Sequence, residues 1–148
     1  MQFIQLEMLN EIKEILFTYG NSFIRPLDIR VGNLNAYACK LQQYALTYKI
    51  LEGNREVGFF SFYANDPEKR NAYLSLIAMK KECRGRGIGS KALKFICSEC
   101  EQRGFQILKL EVDKENEDAI RFYKANGFQV TGEASLESFY MEKETGNV

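Results

Sequence analysis

Three glycines at alternate positions mark the segment best suited to chemistry. Residues 84–90 read Arg-Gly-Arg-Gly-Ile-Gly-Ser and follow an apolar stretch that ends at Met79. Glycine lets a backbone turn tightly and approach a ligand closely, and the unpaired N–H groups of a helix starting near Ser90 would attract an anion. Arg84 and Arg86 add fork-shaped cationic donors. The segment predicts a phosphate or diphosphate site, and the alternative is a flexible turn that only caps a helix.

The letters of this segment exclude two common phosphate-binding motifs. A Walker loop needs Gly-Lys followed by Ser or Thr, which the chain lacks. The dinucleotide fingerprint G-x-G-x-x-G fails because Ser90 stands where the third glycine after Gly85 belongs. Counting from Gly87 puts Ala92 at that place. An anion site of another kind is therefore expected.

Composition narrows the chemistry further. The 148-residue chain has no histidine, which excludes Ser-His-Asp and Cys-His nucleophile systems and histidine-based zinc sites. Lys plus Arg number 20, as do Asp plus Glu, so no net basic charge favours nucleic acid. Cys97 and Cys100 form half of a metal motif without a second pair. We expect them to be structural thiols, and we expect no metal.

The N-terminal sequence has none of the features of a targeting signal. Residues 1–17 lack a basic region, an uninterrupted apolar core and a small-residue cleavage site, and no run of about 18 apolar residues occurs. Four cysteines without a secretion signal are typical of reduced cytosolic thiols. We expect a cytoplasmic protein that does not bind a membrane, and the length predicts one domain, residues 1–148.

Hydrophobic spacing predicts the elements that position the loop. The predicted helices are Asn10–Tyr19, capped by Asn10, and Asn33–Tyr44, Ser90–Gln102 and Glu117–Ala125. The predicted strands are Phe3–Leu6, Ala45–Leu51, Val57–Tyr63, Ala72–Met79, Ile107–Val112, Phe128–Thr131 and Phe139–Glu142. Residues 21–32 are expected to form a loop. Antiparallel hairpin strands followed by a strand–helix–strand crossover predict a mixed α/β fold.

At the glycine-rich segment the chain resembles the GNAT superfamily of N-acetyltransferases. The signature of that family, Q/R-x-x-G-x-G/A, is matched by Arg84, Gly87 and Gly89. Residues 116–128 are similar to a second motif, N-x-x-A-x-x-F-Y-x-x-x-G-F. The resemblance is clear over about residues 73–128. It implies a GNAT-like fold with mostly antiparallel N-terminal strands, a splayed central parallel pair and helices on both faces.

The resemblance implies a binding site for acetyl-CoA as co-substrate. The diphosphate would contact residues 84–90, and the pantetheine arm would pair with the strand that ends at Met79. The arm would enter a V between that strand and residues 107–112. The implied coenzyme-binding residues are Ile77, Ala78, Met79, Arg84, Gly85, Arg86, Gly87, Ile88, Gly89, Ser90, Asn116 and Tyr123.

The resemblance also implies how a primary amine would be acetylated. The Ile77 backbone amide would stabilise the oxyanion, and Tyr123 would protonate the leaving thiolate because a phenol pKa lies near that of a thiol. The alternative for Tyr123 is ring packing against its neighbours. Asn116 is expected both to cap a helix and to contact the coenzyme arm.

The general base is less clearly marked. Some members of the family carry a glutamate early in the central strand, and here Tyr73 takes its place. Glu111 is then the candidate base, with a surface carboxylate as its alternative. Asp66 and Glu52 are weaker candidates, and deprotonation through ordered water stays open.

The predicted function is acetyl transfer from acetyl-CoA to the primary amine of a small molecule. A loose similarity of the N-terminal half to bacterial GNAT proteins of amino-sugar and surface-glycan pathways favours an amino sugar as acceptor. A protein N-terminus or an aminoglycoside comes next. The resemblance places the acceptor pocket in the segment that contains Tyr19, Phe23, Arg25, Arg30, Tyr37 and Tyr44. Most of these are expected to be core or surface residues, with one or two in contact with the acceptor. The alternatives are a non-catalytic CoA-binding module and nucleotide binding by the loop, and the family resemblance allows a homodimer.

Overall fold

A computed structural model describes residues 1–146, and residues 147–148 of the predicted domain lie outside the described residues. The helices are α1 (Leu9–Tyr19), α2 (Leu27–Val31), α3 (Leu34–Tyr44), α4 (Ile88–Gln102) and α5 (Glu117–Ala125). The strands are β1 (Gln2–Gln5), β2 (Leu46–Glu52), β3 (Arg55–Tyr63), β4 (Ala72–Met79), β5 (Ile107–Asp113), β6 (Gln129–Glu133) and β7 (Ser138–Glu144). A short 3₁₀ turn spans Lys81–Cys83.

These strands form a seven-stranded mixed sheet in the order β1-β2-β3-β4-β5-β7-β6. The pairs β1–β2, β2–β3, β5–β7 and β6–β7 are antiparallel, whereas β4 and β5 are parallel. The predicted mixed α/β fold is confirmed, and β4 and α5 have the predicted bounds. No helix within residues 1–146 combines the length and apolar character needed to cross a membrane.

The other helices and strands begin and end within two residues of their predicted bounds, and two further details of the predictions are wrong. The predicted loop 21–32 contains α2, which begins directly after Pro26 and has only five residues. A helix that short shows no helical period in the sequence. Asn10 does not cap α1, because the helix begins at Leu9 and Met8 occupies the cap position without a side-chain hydrogen bond. Leu9 packs against the apolar core, which extends the helix beyond the predicted cap.

The chain divides into two compact units. The first consists of residues 1–63 and 76–92, and the second of residues 64–75 and the chain from residue 93 onward. One of the three boundaries follows the end of β3, and the other two fall inside β4 and α4. The glycine-rich loop belongs to the first unit, and the second motif, residues 116–128, belongs to the second.

The core of the first unit joins the helices α1, α2 and α3 to β3 and β4. Apolar residues recur at three- and four-residue spacing in α1, so that one face of the helix is buried. The buried residues of this core are Leu6, Ile12, Ile15, Leu16, Tyr19, Leu27, Ala38, Leu41, Phe59, Leu76 and Ala78. Burial of one helix face and of alternate residues of β4 holds the end of that strand in place, and the glycine-rich loop follows it.

Gly58 lets β3 approach β4 closely within the first unit. A Cβ atom at Gly58 would lie 2.6 Å from the carbonyl oxygen of Ala78 and 2.6 Å from the sulfur of Met79. The carbonyl oxygen belongs to the backbone and cannot rotate away. Any side chain at residue 58 would therefore displace the strand that precedes the glycine-rich loop.

Substitution of this residue tests the close approach. We expect Gly58→Ala to lower the free energy of unfolding by about 1–3 kcal/mol, because an inserted methyl group forces a backbone shift. Urea denaturation followed by circular dichroism measures the change. Gly132→Ala is the control, since a Cβ there meets nothing within 4 Å. Equal stability losses in the two variants would contradict this explanation.

In the second unit, β5 changes its pairing along its length. The parallel register joins Ala72 to Leu108 and ends at the pair Leu74–Leu110. The antiparallel register with β7 continues to Asp113. Within this unit, the last residues of β5 therefore pair on the β7 side alone.

Candidate active site

The glycine-rich loop of the first unit adopts a conformation that requires glycine. Gly85 has a φ of 77° and Gly87 a φ of 78°, both in the left-handed region that other residues rarely adopt. A Cβ at either position would meet nothing within 4 Å. The backbone is therefore turned by the two glycines, and the space beside them is open to a ligand.

The loop leads directly into α4. The N–H group of Lys91 donates to the carbonyl oxygen of Gly87 at 3.2 Å, which is the first bond of the helical ladder. The N–H groups of Ile88, Gly89 and Ser90 precede that bond and have no acceptor within the helix. Ile88 is buried and anchors the helix start. These N–H groups and the helix dipole favour an anion at this end of α4.

At the end of β4, the backbone N–H and C=O groups of successive residues point to opposite sides of the strand. The N–H group of Lys80 donates to Val57 O of β3 at 2.9 Å. Successive residues of a strand point their polar groups to opposite sides, so those of Ile77 and Met79 point away from β3. The side chain of Ala78 is buried in the core of the first unit. Ile77 and Met79 can therefore bind an extended ligand by their backbones while their neighbours build the core.

The two arginines of the loop have different surroundings. Nε of Arg84 donates to the carbonyl oxygen of Met79 at 3.4 Å. Nη2 of Arg86 donates to Oε1 of Glu52 at 2.6 Å, in an ion pair with both side chains partly exposed. The carboxylate of Glu52 is thus engaged by a guanidinium, which makes it a poor base for a substrate amine.

In the second unit, Asp66 is also engaged by a cation. Its carboxylate accepts hydrogen bonds from Nε of Arg70 at 3.0 Å and from the amide of Glu68 at 3.0 Å. These bonds, first that of Arg70 and then that of Glu68, hold the pKa of Asp66 below its ordinary value. A carboxylate with a lowered pKa accepts a proton less readily, which argues against Asp66 as the base.

Glu111 lies on the exposed face of β5 in the second unit. Its Oε2 atom accepts a hydrogen bond from the hydroxyl of Ser138 at 2.6 Å. The hydroxyl groups of Ser138 and Ser135 are 2.9 Å apart, so the three side chains form a short polar chain. Glu111 has no cationic partner among the described residues, in contrast to Glu52 and Asp66.

The helix α5 of the second unit carries the two residues of the second motif. Oδ1 of Asn116 accepts the amide N–H of Ala119 at 3.2 Å, which confirms the predicted cap. The ring of Tyr123 lies edge-on to Phe128 at 5.6 Å and tilted against Phe122 at 5.3 Å. This packing orients the half-buried ring of Tyr123.

The cysteine pair lies in the part of α4 that belongs to the second unit. Cys97 and Cys100 are buried free thiols. Burial raises the pKa of Cys100 to about 12 and also raises that of Cys97, so both stay protonated at neutral pH. Within residues 1–146, no group of three or more His, Cys, Asp or Glu side chains could hold a metal ion.

Comparison with known proteins gives the family. The acetyltransferase (GNAT) family matches residues 9–128 of the chain. The chain belongs to the GNAT family. This confirms the family resemblance that the glycine-rich loop and the α5 motif indicated.

Curated relatives of this GNAT chain share part of its length. Thialysine N-epsilon-acetyltransferase from Bos taurus is 39% identical over 77 residues, which cover 52% of this chain and 45% of that protein. N-alpha-acetyltransferase 30 from Schizosaccharomyces pombe is 38% identical over 56 residues, which cover 38% of this chain and 37% of that protein. The chain thus spans less than half the length of either relative.

Solved structures share the fold over nearly the whole chain. PaiA N-acetyltransferase from Thermoplasma acidophilum, in complex with coenzyme A, has a TM-score of 0.72 at 18% identity and covers 97% of this chain and 99% of its own. Ard1 from Thermoplasma volcanium has a TM-score of 0.75 at 20% identity, with 97% and 96% covered. Aminoglycoside 6'-acetyltransferase type Ii has a TM-score of 0.75 at 13% identity, with 98% and 97% covered. At these identities the likeness shows the GNAT fold.

The side chains of the segment expected to contain the acceptor pocket of this GNAT chain differ in burial and in their partners. Tyr19 is 1% exposed and belongs to the core of the first unit, so it cannot line a pocket. Its hydroxyl donates to Oε2 of Glu56 at 3.2 Å. Burial, and then the charge of Glu56, raises the pKa of Tyr19. Sequence reasoning missed Glu56, because nothing in the alternation of β3 sets it apart from a surface carboxylate.

The remaining aromatic residues of this region differ in exposure. Phe23 packs partly against the core, and the guanidinium carbon of Arg30 lies 5.8 Å from the centroid of its ring. Tyr44 is 57% exposed on α3. Tyr37 packs partly against the core near Tyr63. The side chains of Tyr44 and Arg30 are thus open to solvent, as a ligand contact requires.

The alkaline stability of the protein tests the half-buried Tyr63. Burial, and then the proximity of Tyr37, raises the pKa of Tyr63 from 10.0 to about 12. The folded state therefore favours the protonated phenol, which stabilises the fold below pH 10 and loses that effect between pH 10 and about 12. We expect Tyr63→Phe to show a smaller fall in Tm over this range than the wild type. Tyr44→Phe, at an exposed position, should match the wild type, and an unchanged slope for Tyr63→Phe would contradict the assignment.

Proposed function

We propose that this GNAT chain transfers an acetyl group from acetyl-CoA to the primary amine of a small molecule. The observation that carries the proposal is the loop before α4, where Gly85 and Gly87 turn the backbone and leave open space beside the helix start. A diphosphate fits such a site because it accepts hydrogen bonds from backbone amides and is attracted by the helix dipole. Acetyl-CoA supplies an acyl group activated as a thioester.

The first unit would bind the coenzyme and polarise its carbonyl group. The amides of residues 85–90 would donate to the diphosphate, with Arg84 and Arg86 adding positive charge. The backbones of Ile77 and Met79 would pair with the amides of the pantetheine arm, as an added strand pairs with a sheet edge. The Ile77 N–H would donate to the thioester oxygen, where negative charge develops. The side chain of Ala78 would not contact the coenzyme, since it is buried in the core, and would only hold the strand in place.

The second unit would supply the proton transfers. Tyr123 would donate a proton to the leaving thiolate, since its ring is held by Phe122 and Phe128. Asn116 would contact the coenzyme arm through its side-chain amide nitrogen, because its oxygen already caps α5. Glu111, alone or through an ordered water molecule, would accept the proton of the amine. Of the three carboxylates considered, Glu111 is the one without a cationic partner among residues 1–146.

An amino sugar is the first acceptor to test. Its support is the loose resemblance, read from the sequence, of the N-terminal half to bacterial GNAT proteins of amino-sugar and surface-glycan pathways. The relative from Bos taurus, 39% identical over 77 residues, favours the side-chain amine of a small amino acid as a second candidate. A cytoplasmic location and a homodimer stay predictions, and the balanced charge supports a small-molecule acceptor over nucleic acid.

Binding of CoA by calorimetry tests the loop. We expect Gly87→Ala to raise the Kd for CoA by about tenfold, since a Cβ at positive φ forces the loop out of its conformation. Gly32→Ala is a matched control, because Gly32 has a φ of 75° and equally open surroundings. It should lose similar stability and keep the wild-type Kd. Nucleotide binding by the loop predicts that ATP competes with CoA, and absence of such competition would exclude that alternative.

Turnover separates an enzyme from a non-catalytic module. We expect release of free thiol from acetyl-CoA that depends on an added amine, measured across amino sugars, aminoglycosides, thialysine, lysine and a peptide with a free N-terminus. Tyr123→Phe should lower kcat by about 100-fold, because it removes the general acid. Tyr140→Phe is the control tyrosine of the same unit and should keep kcat. Tight CoA binding without thiol release from any amine would favour the module.

A further inference from the structure

The hairpin that joins β2 to β3 ends in two residues of opposite charge. Glu52 and Arg55 are paired in the register and flank the turn Gly53–Asn54. We call residues 52–55 the hairpin tip. It belongs to the first unit, as does the glycine-rich loop. Neither family motif includes the hairpin tip, and the predicted chemistry gave it no role beyond Glu52 as a weak candidate base.

Both charges of the hairpin tip meet an opposite charge next to the glycine-rich loop. Oε1 of Glu52 lies 2.6 Å from Nη2 of Arg86. Nη2 of Arg55 lies 2.8 Å from Oε1 of Glu82, whose pKa is lowered first by its own backbone amide and then by Arg55. The two pairs have opposite polarity, because the tip contributes its negative charge to one pair and its positive charge to the other. A shifted loop would bring like charges together, so the arrangement favours one position.

The loop between these pairs has few other anchors. Cys83 and Ile88 are buried and hold its two ends, whereas residues 84–87 are exposed. The two hydrogen bonds of Arg84, from its N–H group to Lys81 O and from its Nε atom to Met79 O, are both long at 3.4 Å. Because Gly85 and Gly87 allow many backbone conformations, the ion pairs restrain a segment that is otherwise weakly held.

We propose that the hairpin tip is a positioning element for the coenzyme-binding loop. Glu52 orients the guanidinium of Arg86, and Arg55 holds the 3₁₀ turn through Glu82. This inference rests on the proposed function of the loop. A guanidinium has several donors, so one Nη2 bond to Glu52 leaves the others available to donate to phosphate oxygens. Restraint of the free loop lowers the ordering cost of coenzyme binding.

A charge-reversal cycle on the second pair tests the proposal, since neither Arg55 nor Glu82 is placed in the binding machinery. We expect Arg55→Glu and Glu82→Arg each to raise the KM for acetyl-CoA and the Kd for CoA by about 3- to 10-fold, because an attraction becomes a repulsion. The double variant should return both values to within about twofold of the wild type. The kcat should stay within about twofold throughout, since the reacting groups are untouched.

A second readout does not require the coenzyme. Hydrogen–deuterium exchange of the amides of residues 84–89 in the free chain should speed up in each single variant and slow again in the double variant. Arg103→Glu is the control, because it reverses a charge of the partly exposed pair between Glu99 of α4 and Arg103, which follows the end of that helix. It should leave the loop exchange and the Kd unchanged.

Variants of Glu52 test whether its carboxylate promotes CoA binding by positioning Arg86 or weakens it by competing with phosphate. If Glu52 positions Arg86, Glu52→Ala raises the Kd for CoA more than Glu52→Gln, which keeps a hydrogen-bond acceptor. Tighter CoA binding by Glu52→Ala would show that the carboxylate only competes with phosphate, and would overturn the proposal. The proposal would also be overturned if the Kd for CoA of the Arg55→Glu/Glu82→Arg double variant were raised by the combined effects of the two single variants. A wild-type chain that binds no CoA would overturn the proposed function and this inference with it, whereas wild-type binding without coupling in the cycle would overturn the inference alone.

Discussion

The positive φ angles of Gly85 and Gly87 are the constraint on which the rest of the site depends. They turn the exposed backbone between buried Cys83 and buried Ile88, directly before the first N–H groups of α4, which have no acceptor within the helix. A side chain at either glycine would strain this turn, because both glycines have a positive φ. The anion site is therefore a property of backbone conformation, to which the arginines add charge.

The strand before the loop serves both the core and the site because side chains and backbone groups alternate along it. Leu76 and Ala78 are buried in the core of the first unit, while the polar backbone groups of Ile77 and Met79 point away from β3. The close approach at Gly58 holds β3 against this stretch. The packing that stabilises the unit thus also orients the amides that a coenzyme arm would use.

Charged side chains divide into those engaged by a partner of opposite charge and those that are not. Glu52 and Glu82 are paired with arginines next to the loop, and Asp66 is held by Arg70 in the second unit. Glu111 has a hydroxyl partner instead. The pattern of pairing, rather than the number of carboxylates, therefore narrows the choice of the proposed base.

Local sequence was sufficient for most of the elements and for both motifs of this GNAT chain. The bounds of β4 and α5, the glycine-rich loop at the start of α4 and the Asn116 cap follow from hydrophobic periodicity and from residue conformations that act over a few neighbours. The tertiary structure alone decided which side chains meet. The Glu52–Arg86 and Tyr19–Glu56 pairs join residues 34 and 37 positions apart, and α2 is too short to show a period. Such pairings depend on how strands and helices pack in space. The spacing of residues along the chain does not predict contacts of this kind.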